Sequence, residues 1–247
     1  FGFLCLVGVA QAEVRLEKVP NGGIQPQALL DSEGTVHLVY FKGDPRQGDL
    51  FLVRRKWDSK DWGTPMRVNS IPSSAMAIGS IRGAQMALGV GNSLHVVWNA
   101  SEKGRPPVPK ESRHDPRNLN VLFHARLPSG GSRFHLEKNV MSRIYGLDGG
   151  GSVAADKQGN VFVVFGGREE GSPAGEPGRG IYMALSRDSG RTFEPEIRLD
   201  RDKQGVCSCC SMKAMMDSSG KLRVLYRSAT RALDRDSWLL TYDPKAQ

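Results

Sequence analysis

The chain has little that would build helices. Nowhere in its 247 residues does a long 3.6-residue apolar period run with caps at both ends, which argues against a helical bundle or a helical repeat. It also lacks a membrane-spanning run. The apolar opening at 1–12 (FGFLCLVGVAQA) holds only about 9 apolar residues where roughly 20 are needed. No run of five basic residues and no nucleic-acid motif occurs, so the net charge of +8 is dispersed. Such a charge favours anions such as acidic sugars or sulfated polysaccharide as partners. Cysteine is scarce, with 4 in the chain, and no second cysteine pair accompanies the cluster near residue 207.

What is present is turn-rich β structure, with Gly 29 and Pro 14. Four segments share one design, a small apolar strand, a polar turn and a strongly β-forming strand. They are 28–41 (ALLDSEGTVHLVYF), 86–99 (MALGVGNSLHVVWN), 152–166 (SVAADKQGNVFVVFG) and 213–227 (KAMMDSSGKLRVLYR). Their β-branched and aromatic alternation predicts strands. A third strand follows in each unit, at 50–54, 121–126, 181–185 and 237–241. The turn positions Gly34, Asn92, Gly159 and Gly220 recur at spacings of 58, 67 and 61 residues. Propeller blades repeat at about 40–50 residues, and the excess here falls in loops. The alternative all-β arrangement is a sandwich.

Behind the third strand of the third unit stands SRDSGRTF, residues 186–193. Ser186 and Asp188 are suited to bonding backbone N–H groups in a tight turn. Gly190 supplies a positive φ, and Thr192 and Phe193 are expected to restart a strand around a buried aromatic. The pattern S-x-D-x-G-x-T-F resembles the Asp-box (BNR) repeat of the sialidase-type β-propellers. Units one, two and four carry more decayed versions. The resemblance implies an all-β fold of four-stranded antiparallel blades, with the box on the outer turn, away from the active face. It implies six blades in the intact protein, of which about four fall in 13–247, so the domain is expected to be incomplete. Ala10-Gln11-Ala12, followed by Glu13, resembles the cleavage site of a secretory signal. Residues 1–12 are therefore expected to be a partial signal peptide, and the protein secreted or periplasmic.

In such propellers the ligand loops are those leading into each innermost strand and those joining the second and third strands. The first set carries Gln25, Arg82, Tyr145, Asp148 and the cysteine cluster; the second comprises 42–49, 100–119, 167–180 and 228–236. Sialidase chemistry uses arginines to hold the sugar carboxylate, a carboxylic acid, and a tyrosine nucleophile activated by a glutamate. The resemblance makes Arg82, Tyr145, Arg168, Arg227 and Arg235 candidates for substrate binding, and Asp148 and Glu169 candidates for catalysis. Asp115 and Glu170 are further acids in these loops, and His114 is the histidine of the longest one. The family's Arg-Ile-Pro motif is absent, with Gln25-Pro26 nearest to it, so no catalytic residue follows from a motif match.

Cys207, Cys209 and Cys210, in VCSCCSMKAMM, admit a disulfide, a metal site with a fourth ligand from elsewhere, or pairing outside the cluster. The disulfide is the leading expectation, and neither metal nor cofactor is assigned. His37 and His95 fill one repeated slot, which points to packing. The function expected from the resemblance is a secreted sialidase-like glycoside hydrolase acting on terminal acidic sugars, monomeric when complete. The alternatives are a non-catalytic propeller that binds carbohydrate or protein, and an assembly propeller of the cell envelope.

Overall fold

A computed structural model describes residues 14, 16–105, 120–200, 204–207, 209–231 and 234–246. The proposed signal segment and His114 and Asp115 lie outside the described residues. Fifteen strands form four antiparallel sheets among those residues. The first contains β1 (Ile24–Leu30), β2 (Thr35–Asp44), β3 (Gln47–Lys56) and β4 (Met66–Arg67). The second contains β5 (Gln85–Leu88), β6 (Leu94–Asn99), β7 (Leu122–Leu127) and β8 (Lys138–Asn139). The third contains β9 (Ser152–Ala155), β10 (Val161–Gly167), β11 (Gly180–Ser186) and β12 (Ile197–Arg198). The fourth contains β13 (Lys213–Met216), β14 (Leu222–Arg227) and β15 (Ser237–Tyr242).

Every sheet is a simple meander in chain order. The first strands of successive sheets pack side by side, β1 on β5, β5 on β9 and β9 on β13. This is the blade arrangement of a β-propeller, with inner strands around an axis and outer strands at the rim. No helix of the described residues is long and apolar enough to cross a membrane.

The core lies between blades, and strand alternation divides it. Along β10, Val161, Val163 and Phe165 face the second sheet and pack with Val97, Leu122 and Val153. Phe162 and Val164 face the fourth sheet and pack with Ala214, Leu222 and Val224. Both faces of β10 are thus covered, which explains its near-continuous apolar run. Between the first two sheets, Phe41, Leu50 and Leu52 meet Met86, Val96, Trp98 and Phe123. Phe165 and Trp98 are fully buried, and truncating such a side chain typically costs about 3–5 kcal/mol. By contrast β14 alternates, with Leu222, Val224 and Tyr226 buried and Leu225 exposed.

Three local expectations are corrected. Residues 42–49 form no open loop. Strands β2 and β3 pair out to Asp44 and Gln47, and Asp44 Oδ1 accepts from Arg46 N at 2.8 Å to close the turn. Thr192 and Phe193 do not themselves restart a strand, because Thr192 is committed to Asp188; the backbone returns to β11 just after them, where Glu194 N donates to Leu185 O at 2.8 Å, and β12 begins at Ile197. The fourth sheet has three strands rather than four among the described residues.

Candidate functional site

The strand ends divide the molecule into two faces. On one face lie the turns between first and second strands and between third and fourth. The other carries the segments leading into β5, β9 and β13 and the long connection from β10 to β11.

The 145–151 segment, YGLDGGG, organises the second face. Asn99 Nδ2 donates to Gly149 O at 3.0 Å and Asn120 Nδ2 to Leu147 O at 2.9 Å, so unit two holds it from below. Tyr145 and Arg168 exchange both backbone hydrogen bonds, at 3.0 and 2.8 Å. Gly150 is packed against unit two, where a Cβ would sit 2.3 Å from Ile81 O. Only glycine lets these segments approach so closely.

Asp148 thereby reaches two guanidiniums from different elements. Arg82 Nη2 donates to its Oδ1 at 2.7 Å and Arg82 Nε to its backbone oxygen at 2.6 Å. Arg179 Nη2 lies 3.9 Å from Oδ2, and Arg179 Nη1 donates to Gly146 O at 2.5 Å. Arg168 packs its side chain near Gly146 as well. Burial lowers the Arg179 pKa, and the Arg168 charge lowers it further, against the pull of Asp148 and Glu176. Three guanidiniums therefore gather around one carboxylate and one loop.

The segment leading into β13 closes this face. A small cavity is lined by Gly149, Arg179, Cys207, Cys210 and Met212. The three thiols are unbonded, with Cys207 Sγ at 3.0 Å from Cys210 Sγ and 3.4 Å from Cys209 Sγ. Burial pushes the Cys207 thiol up, but hydrogen bonding with Cys210 and Cys209 and the Arg235 charge leave it below the usual thiol value. Arg235 Nη2 pairs with Glu176 Oε2 at 2.6 Å, and Glu176 O accepts from Val206 N at 3.2 Å. Arg227 Nη1 lies 3.6 Å from Cys210 Sγ. Arg82 and Arg227 thus belong to one face, joined through Asp148, Arg179 and the thiols. A second pocket of about 110 Å³ beside them is lined by Gln25, Ser80, Ile81, Gln85 and Ser211, from the lead-in segments of three units.

Glu169 stands apart from Asp148. Its charge acts on Tyr182, whose hydroxyl is pushed up to about 12, chiefly by burial, and on Arg198, which is paired with Asp200 at 2.9 Å. That group lies toward the outer edge of the third sheet. Arg179 and Glu176 were not singled out from the sequence. They lie in a Pro/Gly-rich loop where neither the burial of Arg179 nor the partner of Glu176 leaves a local pattern.

The 186–193 turn lies on the opposite face. Asp188 Oδ1 accepts from Arg191 N at 2.9 Å and Thr192 N at 2.8 Å, and Oδ2 from Thr192 Oγ1 at 2.7 Å. Ser186 Oγ donates to Asp188 Oδ1 and accepts from Gly190 N, both at 2.8 Å. Burial opposes ionisation of Asp188, but these bonds outweigh it and hold the carboxyl well below the usual range. Phe193 meets the His124 ring edge-on at 4.9 Å.

No protein-family model matches the chain, and no curated protein matches it. Solved structures do. The Hadza microbial sialidase Hz136 aligns over 88% of this chain and 44% of its own, with 12% identity and a TM-score of 0.56. A PL25 ulvan lyase bound to -[GlcA(1-4)Rha3S]- aligns over 87% and 51%, with 14% identity and a TM-score of 0.54. The NanB sialidase of Streptococcus pneumoniae aligns over 87% and 29%, with 13% identity and a TM-score of 0.51. The chain spans about half or less of the length of these structures. At such identity the likeness is one of fold, and the four antiparallel sheets are blades of a sialidase-like propeller shared with carbohydrate-active enzymes.

Proposed function

We propose that the face built by Arg82, Asp148, Arg168 and Arg179 receives the carboxylate of a terminal acidic sugar, and that the protein is a sialidase-like glycoside hydrolase. The observation that carries this reading is the gathering of three guanidiniums around the 145–151 segment. Guanidinium forks bind carboxylates bidentately, and Asp148 already occupies the position that a substrate carboxylate would compete for. Once displaced from Arg82, Asp148 would take up a proton from solvent and pass it to the leaving-group oxygen, returning to the carboxylate. Arg227 and Arg235 extend the cationic rim, and Tyr145, bonded through its backbone to Arg168, stands at its edge, whereas Glu169 acts on Tyr182 and Arg198. Structural neighbours named as sialidases, and one bound to a uronic-acid-containing glycan, support an anionic carbohydrate as ligand. The apolar opening followed by Ala10-Gln11-Ala12 supports export.

A second reading has its own observation. Asp148 is held by Arg82 at 2.7 Å, and the Glu169 charge acts on Tyr182 and Arg198, as in a face that binds sugar without cleaving it. A fluorogenic sialoside assay combined with saturation-transfer NMR on sialic acid separates the two. Turnover abolished by Asp148→Asn supports the hydrolase. Sugar binding lost in Arg82→Gln but never accompanied by turnover supports the binding protein. Neither turnover nor binding rejects both.

A further inference from the structure

The thiol cluster is not used by the carbohydrate reading, and its surroundings are built from sulfur and positive charge. The sulfurs of Cys207, Cys209 and Cys210 all lie within 4.8 Å of one another. Met212, nearly fully buried, lines the same cavity as Cys207 and Cys210. Two guanidiniums point at the sulfurs, Arg235 Nη1 at 2.9 Å from Cys207 Sγ and Arg227 Nη1 at 3.6 Å from Cys210 Sγ. Arginine only donates, so both contacts use sulfur as an acceptor. Thiolate sulfur serves that role better than a disulfide.

We propose that Cys207, Cys209 and Cys210 form a trigonal trithiolate site for a monovalent soft cation, Cu(I). Structural zinc sites are almost always four-coordinate, and no fourth cysteine, histidine or carboxylate joins the cluster among the described residues. Three soft sulfurs with a thioether nearby instead match the ligand preference of Cu(I). Loading forms three Cu–S bonds. Each sulfur still protonated loses its proton to solvent, and copper arrives already as Cu(I), so no electron is transferred. Three thiolates and one Cu(I) carry a net charge of two minus, and Arg227 and Arg235 are placed to offset it. Glu176, paired with Arg235, is the carboxylate that opposes this.

The test uses the whole chain, reduced and kept under argon, titrated with Cu(I) in acetonitrile against the chelator bathocuproine disulfonate. One copper per chain is expected to leave the chelator, with a thiolate-to-copper charge-transfer band in the near ultraviolet. Cys207→Ser and Cys210→Ser should each abolish the transfer. Cys209→Ser alters an exposed side chain and should keep the fold, checked by circular dichroism, while weakening uptake. Arg235→Gln removes a hydrogen bond to a ligand and should weaken affinity on the order of 10–100-fold. Excess Zn²⁺ should leave copper uptake unchanged. A folded, reduced protein that leaves all copper on the chelator overturns the proposal. So does zinc displacing copper, or Cys209→Ser binding copper as tightly as the parent chain.

Discussion

The two faces of the propeller handle their charges differently. On the turn face a carboxylate is satisfied within its own turn. Asp31 Oδ1 accepts from Glu33 N and Thr35 N, both at 2.9 Å, and its other oxygen meets His37 at 2.8 Å. Asp156 repeats the pattern with Gln158 N, Asn160 N and Asn160 Nδ2. Asp217 repeats it with Ser219 N, Lys221 N and Arg223 Nε. One Asx turn thus recurs in three units, its second oxygen meeting whatever donor that unit provides. On the site face, Asp148 and Arg82 are 66 residues apart and Glu176 and Arg235 are 59 apart. Asp31, Asp156, Asp188 and Asp217 specify local backbone, whereas Asp148 and Glu176 join one blade to another beside open space. Substitutions on the first should therefore cost stability, and on the second ligand binding.

The largest stability loss is expected where the turn face is most crowded. Gly190 has φ +76, and a Cβ there would lie 2.6 Å from His124 Cε1 and 3.1 Å from His95 Nδ1. Gly190→Val combines left-handed strain with overpacking and should cost about 2–5 kcal/mol in urea unfolding. A cost below 1 kcal/mol would show that the histidine pair can move aside.

That pair predicts the pH response. His95 and His124 stack at 5.3 Å, with His95 Nδ1 at 3.1 Å from His124 Nε2. Burial, aided by the Arg126 charge, lowers His95 to about 4. Burial lowers His124 too, helped by His95, Lys138 and Arg126. An unfolded histidine titrates near 6.5, so between that pH and 4 the unfolded chain holds the extra proton. Stability is then complete above pH 6.5 and declines as pH falls through 4, by about 3 kcal/mol for His95 alone. Replacing both histidines with glutamine should flatten this slope; an unchanged slope would assign it to other groups.

Asp188→Ala should have a smaller effect, about 0.5–2 kcal/mol, by analogy with lost capping bonds, and should leave sugar binding untouched. Loss of binding in a folded Asp188→Ala protein would break the separation of the faces.

Legibility from sequence follows the same division. The strands were legible because β-forming runs such as VFVVF and LHVVW are bounded by turn residues, and the 186–193 turn because its hydrogen bonds span at most four residues. The site was legible only as a set of loops. Arg82, Asp148 and Arg227 were identified by their positions at strand ends, which survive folding. The burial of Arg179 and the Glu176–Arg235 pair depend on how blade three meets blade four, and no local spacing encodes that. The 42–49 segment failed in the other direction. Its Gly, Asp and Pro suggest a loop, yet ten-residue strands on either side of Pro45-Arg46 continue the ladder through Gly43 and Gly48.

The smallest stability effect should come from Arg82→Gln, and it tests the site face most directly. Arg82 donates once to the Asp148 carboxylate and once to its backbone oxygen, yet the pair is partly open, with Arg82 20% and Asp148 42% exposed. Solvent screens such pairs, and exposed ion pairs contribute about 0–1 kcal/mol. Glutamine keeps a donor for the Asp148 backbone oxygen and removes the fork that would hold a sugar carboxylate. Unfolding should therefore shift by no more than about 1 kcal/mol, while sialic acid binding by saturation-transfer NMR is lost. A larger stability loss with binding intact would make Arg82 a brace between blades two and three, its contact with Asp148 being an end in itself and not a place kept for a ligand.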